Sequence, residues 1–188
     1  MSLEIIEKIR EKESLDLALE NALNKLKRAV KKRNDDLHLL NIVTVDDQSK
    51  PNTRNVVLRD FSIDNLTIRF HTDKRSSKIK DIKVNKSICL IGYDKKIKLQ
   101  IRIDADAYSI SDEETLLDIW KKMYPMSREC YRVSKSPGDK IESLNEVIFD
   151  KDDETNLIGF DNFAAIQCDI KTIEVIKKSL SHTINNKK

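Results

Sequence analysis

Apolar residues recur at helical spacing between Ser14 and Arg33, where Leu15, Leu19, Ala22, Leu23, Leu26 and Val30 share one face. That is the stripe of an amphipathic helix packed on a core. Ser14 suits its N-cap, Asp16 the positive end of its dipole, and Lys31, Lys32 and Arg33 the negative end. Residues 2–13, with Ile5, Ile6 and Ile9, predict a separate loose helix.

After Asn34-Asp35-Asp36 the period changes to that of strands. Leu39–Val45, Thr53–Phe61 and Leu66–His71 read as three strands joined by the polar turns 46–52 and 62–65. Such short connections predict antiparallel pairing. A short helix is expected over Ser76–Val84, on Ile79, Ile82 and Val84. A fourth strand follows over Lys86–Tyr93, apolar enough to be buried on both faces. The sharpest alternation runs from Ile97 to Ala105, with every odd position apolar, so one face meets a core and the other water or a ligand. Ser111-Asp112-Glu113-Glu114 predicts a capping box opening a helix through Trp120 and Met123, which Tyr124-Pro125 ends.

Further helical turns over Ser127–Val133, a Ser136-Pro137-Gly138 turn and a mobile acidic loop at Asp150–Glu154 come next. Strands at Phe163–Ile170 and Thr172–Ile176 precede a polar tail expected to fray after Lys177. Six or seven strands with helices at their edges give a mainly β fold with flanking α-helices, an antiparallel barrel or strongly curled sheet. We expect one domain over residues 1–188, with an N-terminal helix at about 14–33.

Composition narrows the function. Basic and acidic residues number 35 and 32 and are interspersed, which argues against nucleic acid as a partner. Cys89, Cys130 and Cys168 are too scattered for a disulfide framework or a zinc site. No run is long and apolar enough to span a membrane, and the start lacks a signal-peptide core. The expected setting is the cytoplasm. With three glycines in all, the glycine-rich loops of dinucleotide and P-loop sites are excluded.

Phosphate binding must then fall to side chains and a helix start. Arg54, Arg59, Arg75, Ser76, Ser77 and Lys78 crowd the right donors into one region, with the serines where the Ser76–Val84 helix begins. Val56, Val57 and Leu58 offer a shelf for a flat ring, and Gln100 and Arg102, on the polar face of the alternating strand, offer donors for its carbonyl edge. These are the demands of flavin mononucleotide (FMN). Singly, Val56, Val57 and Leu58 read as core, and Arg75, Lys78, Gln100 and Arg102 as surface; their order and spacing together carry the signal.

That order resembles the pyridoxamine 5'-phosphate oxidase-like family, which folds as a split β-barrel. Arg54-Asn55-Val56-Val57-Leu58-Arg59 is similar to its Arg-x-Val-Leu-Leu-Lys/Arg strand. Phe70-His71-Thr72-Asp73-Lys74-Arg75-Ser76-Ser77-Lys78 is similar to its Phe-Tyr-Thr-Asn-x-x-Ser-Arg-Lys segment, and Gln100-Ile101-Arg102-Ile103 to its Gln-Val-x-Val strand. Over residues 15–141 or so, the resemblance implies a homodimer with two FMN molecules at its interface. Arg54, Val56 to Arg59, His71, Thr72, Ser76, Ser77 and Lys78 would come from one subunit, and Gln100, with the Ser136-Pro137-Gly138 turn, from the partner.

Histidine replaces tyrosine at His71, serine replaces arginine at Ser77, and the basic residue moves back to Arg75. The Trp-…-Arg-Leu-x-Pro segment of the true oxidases has no counterpart, and the single tryptophan, Trp120, reads as helix core. The expectation is an FMN oxidoreductase of unassigned substrate. The alternatives are a flavin-sensing dimer without catalysis, a true pyridoxamine phosphate oxidase with an altered end, or a haem or deazaflavin protein with His182 as a weak axial candidate.

Overall fold

A computed structural model describes residues 3–148, 157–177 and 180–185; the acidic stretch 150–154 lies outside them. Its strands are β1 Leu39–Val45, β2 Pro51–Ser62, β3 Thr67–Asp73, β4 Ser87–Asp94, β5 Leu99–Ser109, β6 Phe163–Lys177 and β7 Leu180–Asn185. They lie in the order β3-β2-β1-β4-β5-β6-β7, and β3 also pairs with β6. The first six therefore close into an antiparallel barrel, the split-barrel fold expected from the sequence, with β7 added at the outer edge of β6.

The closing seam runs from Thr67 opposite Asp169 to Asp73 opposite Phe163. Between β2 and β3 the register slips: Leu58 faces Phe70 while Asp60 faces Arg69. Arg59 is the extra residue of a β-bulge, a device that re-aims a side chain.

The alternation holds within β5, with Leu99, Ile101, Ile103 and Ala105 buried, but Ile97 lies in the turn before the strand and is exposed. β4 corrects the expectation of burial on both faces: Ile88 and Leu90 are buried, Cys89 and Ile91 partly covered and Tyr93 exposed. A barrel strand has one face inside, so a run of apolar residues need not be enclosed twice.

Helix α1 runs unbroken from Leu3 to Lys31, so Ser14 lies within it and the separate helix at 2–13 does not exist. The Glu, Lys, Ile and Arg residues before Ser14 tolerate helix well, and no glycine or proline interrupts them. Its Ala22, Leu26 and Ala29 are buried in the same core as the barrel interior. Helix α2 spans Ser77–Val84 behind an N-cap at Ser76; Ile79 and Ile82 are buried, whereas Val84 is exposed.

Helix α3, Glu113–Lys122, is capped by Asp112, which accepts from the Thr115 amide at 2.8 Å, one residue beyond the expected Ser111 box. Its Leu116, Ile119 and Trp120, with Met123, form a second core with Tyr131, Phe163 and Ala165. Trp120 is fully buried, as expected. The short α4, Pro125–Arg128, leads into a 3-10 turn at Glu129–Tyr131. The last two predicted strands are one, β6. The tail expected to fray instead pairs as β7, Thr172 opposite Asn185 through Lys177 opposite Leu180.

Candidate functional site

Strand alternation divides the candidate residues between two places. On β3, Thr72 shares the inward face with Ile68 and Phe70, whereas His71 turns outward with Arg69.

Thr72 and Ser76 are buried at the mouth of the barrel, their hydroxyl oxygens 3.2 Å apart. Lys78, the second residue of α2, donates from Nζ to Thr72 Oγ1 at 2.8 Å and to Ser76 Oγ at 3.1 Å. The Ser76 hydroxyl makes no capping bond to its own helix. Burial, and then the nearby Arg54 guanidinium, pull Lys78 below its ordinary range, opposed by Asp73 and Asp81.

Arg54 reaches this cluster from the inward face of β2. It donates from Nη1 to Thr44 Oγ1 and, at 3.1 Å, to the Asn52 carbonyl, and from Nη2 to Asp81 Oδ2 at 3.3 Å. Two cations and two hydroxyls at a helix start, with the cations repelling one another, form a cradle that suits a phosphate. The donor set fits the phosphate of FMN.

Arg75 takes no place in the cradle. Its Nη2 and Nε bond to Asp73 at 2.7 and 3.0 Å, and its two Nη atoms reach the Val133 and Ser134 carbonyls at 2.9 and 3.1 Å. It is a strut between the β3–α2 turn and the segment after α4. Ser77 opens α2 with its side chain exposed. Of the ring shelf, Val56 and Leu58 are buried in the barrel core, leaving Val57 on the outer face.

The second place is a hollow of about 410 Å³ over the outer faces of β2 and β3, roofed by α3, Met123, Tyr124 and Ser127. Arg59, Arg69 and His71 line it. Nε of Arg59, Nε of Arg69 and both ring nitrogens of His71 are buried with no partner among the described residues. His71 packs edge-on against Phe163, with ring centroids 5.1 Å apart. Burial first, then Arg59 and Arg69, push its pKa down to about 3, so the ring is neutral at physiological pH. Buried nitrogens normally have partners, and groups left without one mark a place where something else belongs.

Gln100 and Arg102 lie on the outer face of β5, where Arg102 contacts Asp104 at 3.4 Å and Glu174 at 3.6 Å. β1 and β4 separate β5 from β2, three interstrand spacings or roughly 14 Å, and among the described residues no hydrogen bond joins Gln100 to the cradle. The Ser136-Pro137-Gly138 turn is closed by Ser136 and Asp139, whose backbone amides bond to Asp139 Oδ2 at 2.8 Å and to the Ser136 carbonyl at 3.1 Å.

Arg69, Thr44 and Asp81 escaped the sequence reading. Arg69 was legible as the position two before His71 on the same strand face. Asp81 stands three residues after Lys78, on the same side of a helix. Among the described residues no group of His, Cys, Asp and Glu could hold a metal ion, and no helix is long and apolar enough to cross a membrane.

Residues 19–111 match the family model of the pyridoxamine 5'-phosphate oxidase FMN-binding domain. No curated protein matches the sequence. Among solved structures, a pyridoxamine 5'-phosphate oxidase-related, FMN-binding protein from Nostoc punctiforme superposes with a TM-score of 0.69 at 20% identity, over 89% of this chain and 95% of that one. A Clostridium acetobutylicum protein related to general stress protein 26 gives 0.56 at 11%, over 79% and 86%. PhzG from Burkholderia lata, solved with tetrahydrophenazine-1-carboxylic acid, gives 0.57 at 15%, over 100% and 94%. The match covers β1 to β5 and α2, with the whole phosphate cradle inside it. Through residues 19–111 the chain belongs to the pyridoxamine 5'-phosphate oxidase-like family of FMN-binding split barrels, and FMN is its cofactor.

Proposed function

We propose that the protein is an FMN-dependent oxidoreductase acting on a small anionic substrate held in the hollow of Arg59, Arg69 and His71. The carrying observation is the set of buried, unpartnered nitrogens in that hollow, over and above the cations already gathered for the cofactor phosphate. Bound FMN supplies two-electron redox chemistry, and the protein supplies binding, orientation and electrostatics. Arg54, Thr72, Ser76 and Lys78 hold the phosphate, with Val57 against the ring.

Arg59, on the outer face of β2, and Arg69 draw the substrate's anionic group in beneath α3. His71, neutral, donates from one ring nitrogen and accepts at the other. The protein works as a homodimer, in the cytoplasm. The distance of Gln100 and Arg102 from the cradle within one chain supports their serving the cofactor of a partner.

Mixing the flavin-loaded protein anaerobically with pyridoxamine 5'-phosphate, related phosphorylated or carboxylated amines and reduced nicotinamides tests this reading. Bleaching of the flavin band by an anionic substrate, absent with its uncharged analogue, is the expected result. No bleaching with any of them would overturn the assignment as an enzyme and favour flavin sensing.

A further inference from the structure

We infer that Asp81, with Thr44, is a positioning residue that fixes how Arg54 meets the cofactor phosphate. The inference rests on the cradle being the phosphate site, and adds a residue that touches no cofactor itself.

Asp81 lies on the buried side of α2 and is 5% exposed. One of its oxygens, Oδ2, is the acceptor for Thr44 Oγ1, for Asn52 Nδ2 at 3.4 Å and for Arg54 Nη2 at 3.3 Å. The Thr44 hydroxyl, fully buried, has one hydrogen to give. Giving it to Asp81 leaves a lone pair facing Arg54 Nη1, so donor and acceptor roles around the ring of contacts are settled. The Asn52 carbonyl takes a second bond from Nη1.

A guanidinium carries five N–H groups. Here Nη1 is spent on Thr44 and Asn52, and Nη2 gives one hydrogen to Asp81. What remains is the Nε–H and one Nη2 hydrogen, an adjacent pair suited to grip two oxygens of one phosphate. Arginine is long and costly to immobilise. A bracket drawn from β1, β2 and α2 removes that freedom before any ligand arrives, which is how preorganisation raises affinity. Asp81 also sets a negative charge near Arg54 and Lys78, two cations that otherwise repel across the cradle.

Holding the arginine and repelling the phosphate are opposite contributions of one carboxylate, and two variants separate them. Asp81→Ala removes the bracket; Asp81→Asn keeps an oxygen acceptor and removes the charge. The full chain, freed of flavin, is titrated with FMN and with riboflavin, which shares the ring and lacks the phosphate, and flavin fluorescence is followed. In Asp81→Ala the preference for FMN over riboflavin should fall about ten-fold, the worth of one lost charge-assisted contact. Asp81→Asn should restore most of it.

An Asp81→Ala protein that loses both ligands equally, or prefers FMN more strongly than the wild type, would overturn the inference. Arg54→Ala is the control for the underlying reading. If it leaves the preference intact, the phosphate is not in this cradle; if it abolishes the preference while Asp81→Ala does not, only the role of Asp81 fails.

Discussion

Replacing Arg75 by alanine should destabilise the protein far more than it weakens the cofactor. The carboxylate of Asp73 is 5% exposed and accepts from the Arg75 backbone amide at 2.8 Å and from its side chain at 2.7 and 3.0 Å. Without the guanidinium it is a buried charge held by little more than an amide, and the Val133 and Ser134 carbonyls lose a donor. Removing one partner of a buried pair costs about 3–5 kcal/mol. Because the Arg75 side chain is 26% exposed, water can reach part of the gap, and about 2–4 kcal/mol is the expected loss. For a chain of this size that is a fall in Tm of roughly 5–15 °C.

Circular dichroism melts of wild type, Arg75→Ala, Asp73→Asn and the double variant measure it. The double variant should recover part of the loss, since it no longer buries an unpaired charge. FMN affinity, measured well below the melt, should change only a few-fold. An Arg75→Ala protein that melts with the wild type but releases FMN would show that this arginine is a phosphate ligand, and the strut would be refuted.

The division into cradle and hollow predicts a split between Lys78→Ala and Arg59→Ala: the first should lower FMN affinity by about 1.5–3 kcal/mol, the second should raise KM with flavin still bound, by fluorescence titration and steady-state kinetics. His71 makes stability depend on acid. Its folded pKa of about 3 lies below the ordinary 6.5, so between these values the unfolded chain holds the extra proton. Its contribution is whole above pH 6.5 and drains as pH falls toward 3, by up to about 1.4 kcal/mol per pH unit. Urea melts at pH 7, 6 and 5 should show a shallower loss in His71→Gln; equal slopes would contradict the burial of a neutral ring. At Gly92 an added Cβ would sit 2.8 Å from Leu40 Cδ2 and 2.9 Å from Leu37 Cδ2, both side chains fully packed. Gly92→Ala should cost about 1–3 kcal/mol in the same melts.

Where a pattern is local, the sequence carried it. The alternation of β5 named its buried face residue by residue, and the helix stripe at Ala22 and Leu26 named its core contacts. Phe70 opposite Ile166 could not be read this way, because barrel closure joins segments almost a hundred residues apart and depends on the curvature of the intervening strands. The clustering of Thr72, Ser76 and Lys78 was legible because they stand within seven residues at a helix start. Arg59 and Arg75 look like more of the same in a list of residues. Alternation with the buried Val56 and Leu58 sets Arg59 on the outer face, away from the cradle, while a neighbouring carboxylate captured Arg75, which leaves no periodic trace. β7 was missed because strand 180–185 is polar and gains its order from the edge of β6.

Consecutive residues on β3 face different places. Thr72 lies in the cradle and His71 in the hollow, with one peptide bond between them. The strand thus behaves as two interleaved texts: its even positions, Ile68, Phe70 and Thr72, answer to the barrel interior and the cradle, its odd positions, Arg69 and His71, to the hollow. Substitutions at 69 and 71 can reshape the hollow without touching the cradle, whereas inserting a single residue would exchange the two texts and destroy both. A barrel built this way can vary its hollow by point change but hardly at all by altering the length of its strands.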